Sequence, residues 1–225
     1  VRRSATICLF SPDDKEMITA KTGNWYIDNP QRGRSNNSAV IVRGEADRDQ
    51  FSEIMKSIRE FGEPGFVFTE STEHTYNPCV EIGKYPVWID KKGNKTSGWQ
   101  GCNLSEGNGA KCTSKEEFFK VCRAAAILGT LQAGYTDFKF LDDVSKKIFD
   151  REALIGVSLT GWMNNPDILF NEKTLHEGAE LVKRVNKQVA ALLGINPAAR
   201  TTCVKPSGNA SVLLGTSSGI HGDHS

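Results

Sequence analysis

Short runs rich in β-branched and aromatic residues alternate with longer amphipathic stretches along this sequence, and this alternation constrains the fold more than any other feature. Strands that alternate with helices are typical of a sheet covered by helices. The sequence therefore predicts the α/β class. The predicted strands cover residues 3–10, 38–43, 66–69, 154–161 and 201–204, and the predicted helices cover residues 48–61, 114–133 and 172–193.

Capping signals fix the starts of two predicted helices. Asp47 can cap the helix of residues 48–61, with Gln50 in the reciprocal position of a capping box, and Ser114 with Glu117 forms the same signature. Each helix is expected to bury one apolar stripe. The expected stripe residues are Phe51, Ile54, Met55 and Ile58 in the first helix, and Phe118, Val121, Ala125 and Leu128 in the second, with Cys112 and Cys122 packed nearby.

Three connections lack a strong helix or strand pattern. Residues 23–37 are predicted to form a polar loop, and residues 162–166 a turn. Residues 81–100 contain several Gly and Pro residues and are predicted to form a loop with a small hairpin through Lys92-Gly93-Asn94.

An amide, a thiol and a carboxylate stand at alternate positions in Asn77-Pro78-Cys79-Val80-Glu81. In an extended segment or loop, alternate side chains point the same way, so all three would face one ligand. Pro78 restricts its own φ and favours extended geometry at Asn77. A surface loop with an incidental cysteine is the alternative explanation of so short a motif.

Composition excludes several classes of function. The 225 residues include 28 basic and 27 acidic side chains, a balance that favours neither a nucleic-acid groove nor a membrane surface. Six cysteines without a CxxC pair indicate no structural metal site, and they are too sparse for a disulfide scaffold. With no signal peptide and no apolar stretch long enough to span a bilayer, a cytosolic enzyme is expected.

Three separated motifs follow one another along the chain: Asn77 to Glu81, then Gly101-Cys102-Asn103-Leu104, then Lys205-Pro206-Ser207-Gly208. On these motifs the chain resembles the catalytic subunit of ribonucleotide reductases over nearly its whole length. Pro78 and the Lys205 motif resemble most the adenosylcobalamin-dependent class, particularly the ribonucleoside-triphosphate reductases. The resemblance implies a ten-stranded α/β barrel with a central finger loop. Residues 1–225 would be a single segment of that catalytic barrel domain, incomplete at both ends.

The resemblance also implies a role for each residue of the finger-loop motif. Cys79 would carry the thiyl radical, Glu81 would be the general base on the 3′-hydroxyl, and Asn77 would hold the ribose hydroxyls. Cys102 would be one member of the redox pair that supplies two electrons. The other member is expected upstream of residue 1. Cys8 and Cys203 are the internal alternatives, and both are expected to be core residues.

The stretch from Lys205 to Ser211 is predicted to cradle a phosphate group. Gly208 permits a close approach of backbone N–H groups to an anion, and Ser207 and Ser211 add hydroxyl donors. The family motif more often has threonine at the position of Asn209, so the contact of Asn209 is open. An ordinary turn is the alternative for this loop. His221 also matches the family and is expected to be structural.

The function implied by the resemblance is reduction of ribonucleotides to 2′-deoxyribonucleotides for DNA synthesis. Its cofactor would be adenosylcobalamin, its substrate a ribonucleoside tri- or diphosphate, and its reductant a thioredoxin-like dithiol, and the remainder of the same polypeptide would complete the enzyme. Two alternatives stay open. One is the class I ribonucleoside-diphosphate reductase with a separate radical subunit. The other is a degenerate nucleotide-binding or regulatory module, against which the retention of all four chemical types at Asn77, Cys79, Glu81 and Cys102 counts.

Overall fold

The computed structural model describes residues 6–222, and the chain divides into two compact units, the first ending at Tyr85 and the second beginning at Pro86. Both units combine helices with strands, so the predicted α/β class is confirmed. None of the helices in the described part of the chain is long and apolar enough to cross a membrane.

The first unit is built on a parallel sheet of three strands in the order β1-β2-β3. Its core joins Phe10, Ala39 and Ile54, where Ile54 lies on the helix that connects β2 to β3. A helical crossover between neighbouring parallel strands is the usual way to cover such a sheet. The elements are β1 (Thr6–Phe10), α1 (Lys15–Ile18), α2 (Trp25–Asp28), a 3-10 helix (Pro30–Arg34), β2 (Ser35–Val42), α3 (Arg48–Phe61), β3 (Gly65–Thr69), β4 (Thr75–Tyr76) and β5 (Gly83–Lys84).

Two boundaries in the first unit differ from the prediction. The expected loop of residues 23–37 is wrong, because it contains α2 and a 3-10 helix and ends in β2, which starts at Ser35 instead of residue 38. Neighbouring β1 sets that start, since Thr6 pairs with Ser35. Pairing with another strand therefore extended β2 into a polar stretch with little strand propensity of its own. Residues 3–5 of the first predicted strand lie outside the described residues.

Helix α3 has the predicted bounds, but its details differ. Asp47 caps it by accepting hydrogen bonds from the N–H groups of Asp49 and Gln50. The Gln50 side chain donates to Asp13 instead of returning to Asp47, so the expected reciprocal capping box is wrong. Of the predicted stripe, Ile54 is fully buried, whereas Phe51 and Met55 are each 40% exposed.

The second unit is built on the parallel strands β8 and β9, which are paired from Asn103↔Ile155 to Asn108↔Thr160. Thr202 extends this sheet by one bridge to Val157, where the sequence predicted a full strand over residues 201–204. Helix α5 and strand β8 were not predicted. The elements are β6 (Val87–Ile89), β7 (Lys95–Ser97), β8 (Asn103–Asn108), a 3-10 helix (Gly109–Lys111), α4 (Lys115–Ala133), α5 (Asp143–Glu152), β9 (Ile155–Thr160), a 3-10 helix (Trp162–Asn164), α6 (Pro166–Leu169), α7 (Glu172–Leu193) and α8 (Asn209–Leu214).

Helices α4 and α7 pack closely because a glycine stands where they meet. A Cβ atom added at Gly178 would lie 2.6 Å from the Phe118 ring, whose side chain is only 1% exposed. Cys112 and Cys122 are buried in the same core, as predicted, whereas Leu128 is 58% exposed and its predicted burial is wrong. The predicted hairpin through Lys92-Gly93-Asn94 is confirmed as the connection between β6 and β7.

Candidate active site

The motif from Asn77 to Glu81 lies in the connection of the two-stranded hairpin formed by β4 and β5. The N–H of Val80 donates to the Asn77 carbonyl over 2.9 Å, which closes a tight turn. The side-chain oxygen of Asn77 accepts from the N–H of Ile82 over 3.0 Å. Of the two expected geometries, an extended segment or a loop, the structure has the loop, and a tight turn closes it.

This turn holds one residue in an unfavourable backbone conformation. Val80 has φ of 64°, in the left-handed region that a β-branched side chain rarely enters. A conformation of this kind costs about 1–3 kcal/mol and tends to be found at functional sites. Asn36, on β2, donates a side-chain hydrogen bond to the Pro78 carbonyl and so ties the turn to the parallel sheet of the same unit.

The three predicted side chains lie within five residues of this turn, and their surroundings differ. The Asn77 amide oxygen is engaged by the main chain of the turn. Cys79 is half-buried. Oε2 of Glu81 is buried and has no hydrogen-bond partner within the described residues. A buried carboxylate oxygen without a donor is costly, so it marks a place where a ligand or water donor would be favourable.

Cys102 immediately precedes β8, and its sulfur lies near a glycine of the neighbouring strand. A Cβ atom added at Gly156 would be 3.5 Å from the Cys102 sulfur and 3.0 Å from that of Cys203. The two sulfur atoms are therefore separated by at most about 6.5 Å, the sum of these distances. Sequence spacing gave no signal of this proximity, because it depends on the order of the strands.

A disulfide between Cys102 and Cys203 does not follow from this proximity. β8 pairs with one edge of β9, from Asn103↔Ile155 onward, whereas the N–H of Cys203 donates a hydrogen bond to the Val157 carbonyl on the other edge. Two strands that flank a third are about 10 Å apart, and a disulfide requires Cα atoms within about 7 Å. Oxidation of this pair would need the backbone to move.

Cys112 and Cys122 have the properties of structural cysteines. Their exposed fractions are 3% and 4%. Burial raises the pKa of the Cys112 thiol, as does the negative charge of Glu117. Burial, with a smaller contribution from Cys112, raises the pKa of Cys122 to about 12. Because the thiolate is the reactive form, both groups are poor redox thiols at neutral pH.

The two faces of the β8 and β9 pair differ in polarity. On one face, Ser105 donates to the Ala125 carbonyl of α4, and a Cβ atom added at Gly107 would lie 2.3 Å from Val121 of the same helix. Alternate residues point the other way, away from α4. That opposite face, which we call the polar face, carries Leu104, Glu106 and Asn108 of β8 beside Gly156, Ser158 and Thr160 of β9.

The predicted phosphate loop follows the sheet, and several of its donors are engaged within the chain. The N–H of Gly208 donates to the Pro206 carbonyl and to the Ser218 hydroxyl, and the Ser211 hydroxyl donates to the Gly208 carbonyl over 2.6 Å. Asn209 is the first residue of α8. Ser207 differs from these, because its φ is 70° and its buried hydroxyl has no partner among residues 6–222.

The segment that follows α8 forms hydrogen bonds both to this loop, through Ser218, and to β9. Thr160 of β9 donates to the Ser217 carbonyl and accepts from the N–H of Gly219. The N–H of His221 donates to the Ser218 carbonyl, while the His221 side chain is exposed. His221 therefore takes part in a turn through its main chain.

Sequence reasoning missed an ion pair on the polar face. Lys205 Nζ lies 2.9 Å from Oε2 of Glu106, and the main-chain N–H of Lys205 donates to the Ser158 hydroxyl over 2.9 Å. Oε1 of Glu106 and the side-chain oxygen of Asn108 are buried without a partner in the described structure. No local pattern around Glu106 could have found this pair, since 99 residues separate its members.

No family model matches this chain. Curated relatives do match it over 98% of its length, and each carries the name adenosylcobalamin-dependent ribonucleoside-triphosphate reductase, qualified as probable in one case. Identity is 29% to the protein from Lactobacillus acidophilus, 28% to the one from Dictyostelium discoideum and 24% to the one from Euglena gracilis. The chain spans only about a third of these relatives, at 33%, 29% and 30% of their lengths.

Solved structures share the fold. A B12-dependent (class II) ribonucleotide reductase matches 96% of the chain with a TM-score of 0.68 and 21% identity, over 34% of its own length. The class Id ribonucleotide reductase alpha subunit of Actinobacillus ureae matches with a TM-score of 0.58 and 13% identity, over 48% of its length. The resemblance inferred from three motifs is therefore confirmed: over nearly its whole length, this chain is similar to about one third of an adenosylcobalamin-dependent ribonucleoside-triphosphate reductase.

Proposed function

We propose that this chain is the part of an adenosylcobalamin-dependent ribonucleotide reductase that carries the finger loop and the phosphate loop. The enzyme would reduce ribonucleoside tri- or diphosphates to the 2′-deoxy products used in DNA synthesis. The observation that carries the proposal is the Asn77-x-Cys79-x-Glu81 motif on a tight turn, in a chain similar from end to end to reductases of that name.

The thiol environments fit a cofactor that generates a radical on cysteine. Cys79 is half-buried in the connection of a short hairpin, whereas Cys112 and Cys122 are enclosed in a core. A group from outside the chain can therefore reach Cys79 more readily than either core thiol. When bound, adenosylcobalamin would supply the radical by homolysis of its cobalt–carbon bond.

The chain's own residues would then act on the ribose. The Cys79 thiyl takes the 3′ hydrogen atom, forming an S–H bond as the C–H bond breaks. Glu81 accepts the proton of the 3′-hydroxyl, and Asn77 holds the ribose hydroxyls. The 2′-hydroxyl leaves as water, and two thiols supply two electrons and two protons as they become a disulfide. Cys102 is one of these thiols. The Cys79 S–H then returns its hydrogen atom to C3′, which regenerates the thiyl, and Glu81 returns the proton to the 3′-hydroxyl.

The proposed substrate phosphates would bind the loop that includes Ser207, Gly208, Asn209 and Ser211. The buried hydroxyl of Ser207 supports this, because it has no partner within the described structure. Gly208 and Ser211 are engaged inside the loop, so they would shape it more than contact the anion.

We further propose that residues 1–225 form a single segment of a ten-stranded α/β barrel. The support is the fold shared with the class II reductase, at a TM-score of 0.68. The rest of the polypeptide would complete the barrel, and a thioredoxin-like dithiol in the cytoplasm would regenerate the active-site thiols.

The proposed activity can be tested on the complete protein that contains this chain. We expect it to reduce ribonucleoside triphosphates as a single type of polypeptide when given adenosylcobalamin and a dithiol, measured as deoxynucleotide formed. Oxygen should make no difference to radical generation. Activity that requires a dimetal radical subunit instead of adenosylcobalamin would favour the class I alternative, whose alpha subunit shares this fold. Inactivity with both would favour a degenerate nucleotide-binding module.

Turnover without an external reductant should leave Cys102 oxidised. We expect peptide mapping to find it linked to a cysteine upstream of residue 1, because Cys102 and Cys203 adjoin or lie in segments on opposite sides of β9, and strands so placed are usually too far apart for a disulfide. The matched control is Cys203→Ser, which should form the same link. A disulfide between Cys102 and Cys203, or between Cys102 and Cys8, would contradict this assignment.

A further inference from the structure

The ion pair between Glu106 and Lys205 joins three neighbouring segments of the sheet in the second unit. Glu106 and Ser158 are directly opposite each other on β8 and β9. Lys205 bonds to both, through its ammonium group to Glu106 and through its main chain to Ser158. Lys205 is the first residue of the phosphate loop, residues 205–211. Glu106 therefore holds the one charged side chain of this loop.

The two partners are buried to different extents. The Glu106 side chain is 6% exposed and that of Lys205 is 24% exposed. Lys205 is also the only lysine or arginine between Thr201 and Ser225. Within this part of the sequence, the permanent positive charge available to a phosphate is thus a single ammonium group, and a buried carboxylate already neutralises it.

We propose that Glu106 sets the phosphate affinity of the loop by neutralising Lys205. The inference rests on the proposed function, since it takes the loop of residues 205–211 to bind the substrate phosphates. With Glu106 ionised, the pair contributes no net charge, and the ligand is held mainly by directed hydrogen bonds such as that of Ser207. The loop would then bind phosphate moderately and release the product readily.

The physical reason is the range of the Coulomb interaction near a protein surface. An unneutralised ammonium group several ångströms from a phosphate strengthens binding by about tenfold or more, and the gain grows with the charge of the ligand. Salt screens it, because the group is partly exposed. Removing the carboxylate charge should therefore tighten the binding of phosphates, which is the opposite of what loss of a purely structural contact would do.

The experiment uses the complete protein and the Michaelis constant for nucleotide reduction. Glu106→Gln keeps the size of the side chain and removes its charge. We expect it to lower KM for a ribonucleoside triphosphate by about tenfold, and KM for the diphosphate by less. Inorganic tripolyphosphate, which has charge but no nucleoside, should inhibit the variant about tenfold more strongly, and this difference should shrink at high salt.

Two further variants complete the test. Lys205→Met should raise KM for the triphosphate, and Glu106→Gln with Lys205→Met should return it close to the wild-type value, since the net charge is then unchanged. The matched control is Glu180→Gln, which breaks an exposed pair with Lys183 on α7 and should leave KM and inhibition unchanged. Thermal unfolding identifies any variant that fails to fold.

The outcomes separate a charge effect of Glu106 from a purely structural contact, and both from failure of the proposed function. A higher KM for Glu106→Gln, or an effect independent of ligand charge and salt, would overturn the inference and make the pair a structural contact. The proposed function would survive that result, because the wild type would still reduce nucleotides. A wild-type protein that neither reduces nucleotides nor binds tripolyphosphate would overturn the proposed function itself.

Discussion

Replacing Cys79 by serine is expected to abolish nucleotide reduction by the complete protein while leaving nucleotide binding largely intact. A hydroxyl O–H bond is too strong to be converted to a radical by the route that converts a thiol. Serine is otherwise close to cysteine in size, and the turn depends on the main-chain bond from Val80 to Asn77 and on the Asn77 side chain. The local structure should therefore survive, and the defect should lie in the chemical step.

The matched control for this variant is Cys8→Ser. Cys8 is a half-buried cysteine of the same unit, on β1, and the proposal assigns the second redox thiol to a cysteine upstream of residue 1 instead of to Cys8. Its replacement should preserve the turnover rate. Deoxynucleotide formation and equilibrium nucleotide binding, measured side by side, separate the two effects. Substantial turnover by Cys79→Ser would remove the thiyl radical from the proposal.

Elements with local signals were predictable from the sequence, and those created by pairing were not. Helix α7 begins and ends as expected, because Asn171 caps it and Gly194 ends it in a left-handed conformation. Helix α3 likewise has its cap and its terminal glycine. Strand β8 lacks such a signal: its sequence is polar, and only pairing with the buried strand β9 makes it a strand.

In the candidate site, too, features with a local sequence signal could be predicted, and features created by the fold could not. Asn77, Cys79 and Glu81 were singled out by their alternate spacing and by the family resemblance, and Cys102 by the resemblance alone; their roles stay predictions. The turn that holds the motif was missed, since the positive φ of Val80 is unfavourable for the residue itself and persists only through surrounding contacts. The proximity of Cys102 to Cys203, and the pair of Glu106 with Lys205, depend on which strands are neighbours, and no local sequence pattern carries that information.

Replacing Glu81 by glutamine is expected to lower the turnover number by about 10² to 10⁴, the usual loss when a positioned general base is removed. Oε2 of Glu81 is buried without a donor in the described structure, so a substrate hydroxyl would be a favourable partner there. Glutamine keeps the size of the side chain but cannot accept the proton of the 3′-hydroxyl. KM should change little, because the phosphate contacts remain.

The control for this last variant is Glu16→Gln, which removes the same charge from an exposed position on α1 of the same unit. It should leave both constants unchanged, which would exclude a general effect of net charge on the unit. Steady-state kinetics at saturating substrate measures the turnover number, and thermal unfolding checks that the first unit remains folded. A turnover number within a few-fold of wild type for Glu81→Gln would show that another group accepts the proton, and the buried oxygen of Glu81 would then need a structural partner.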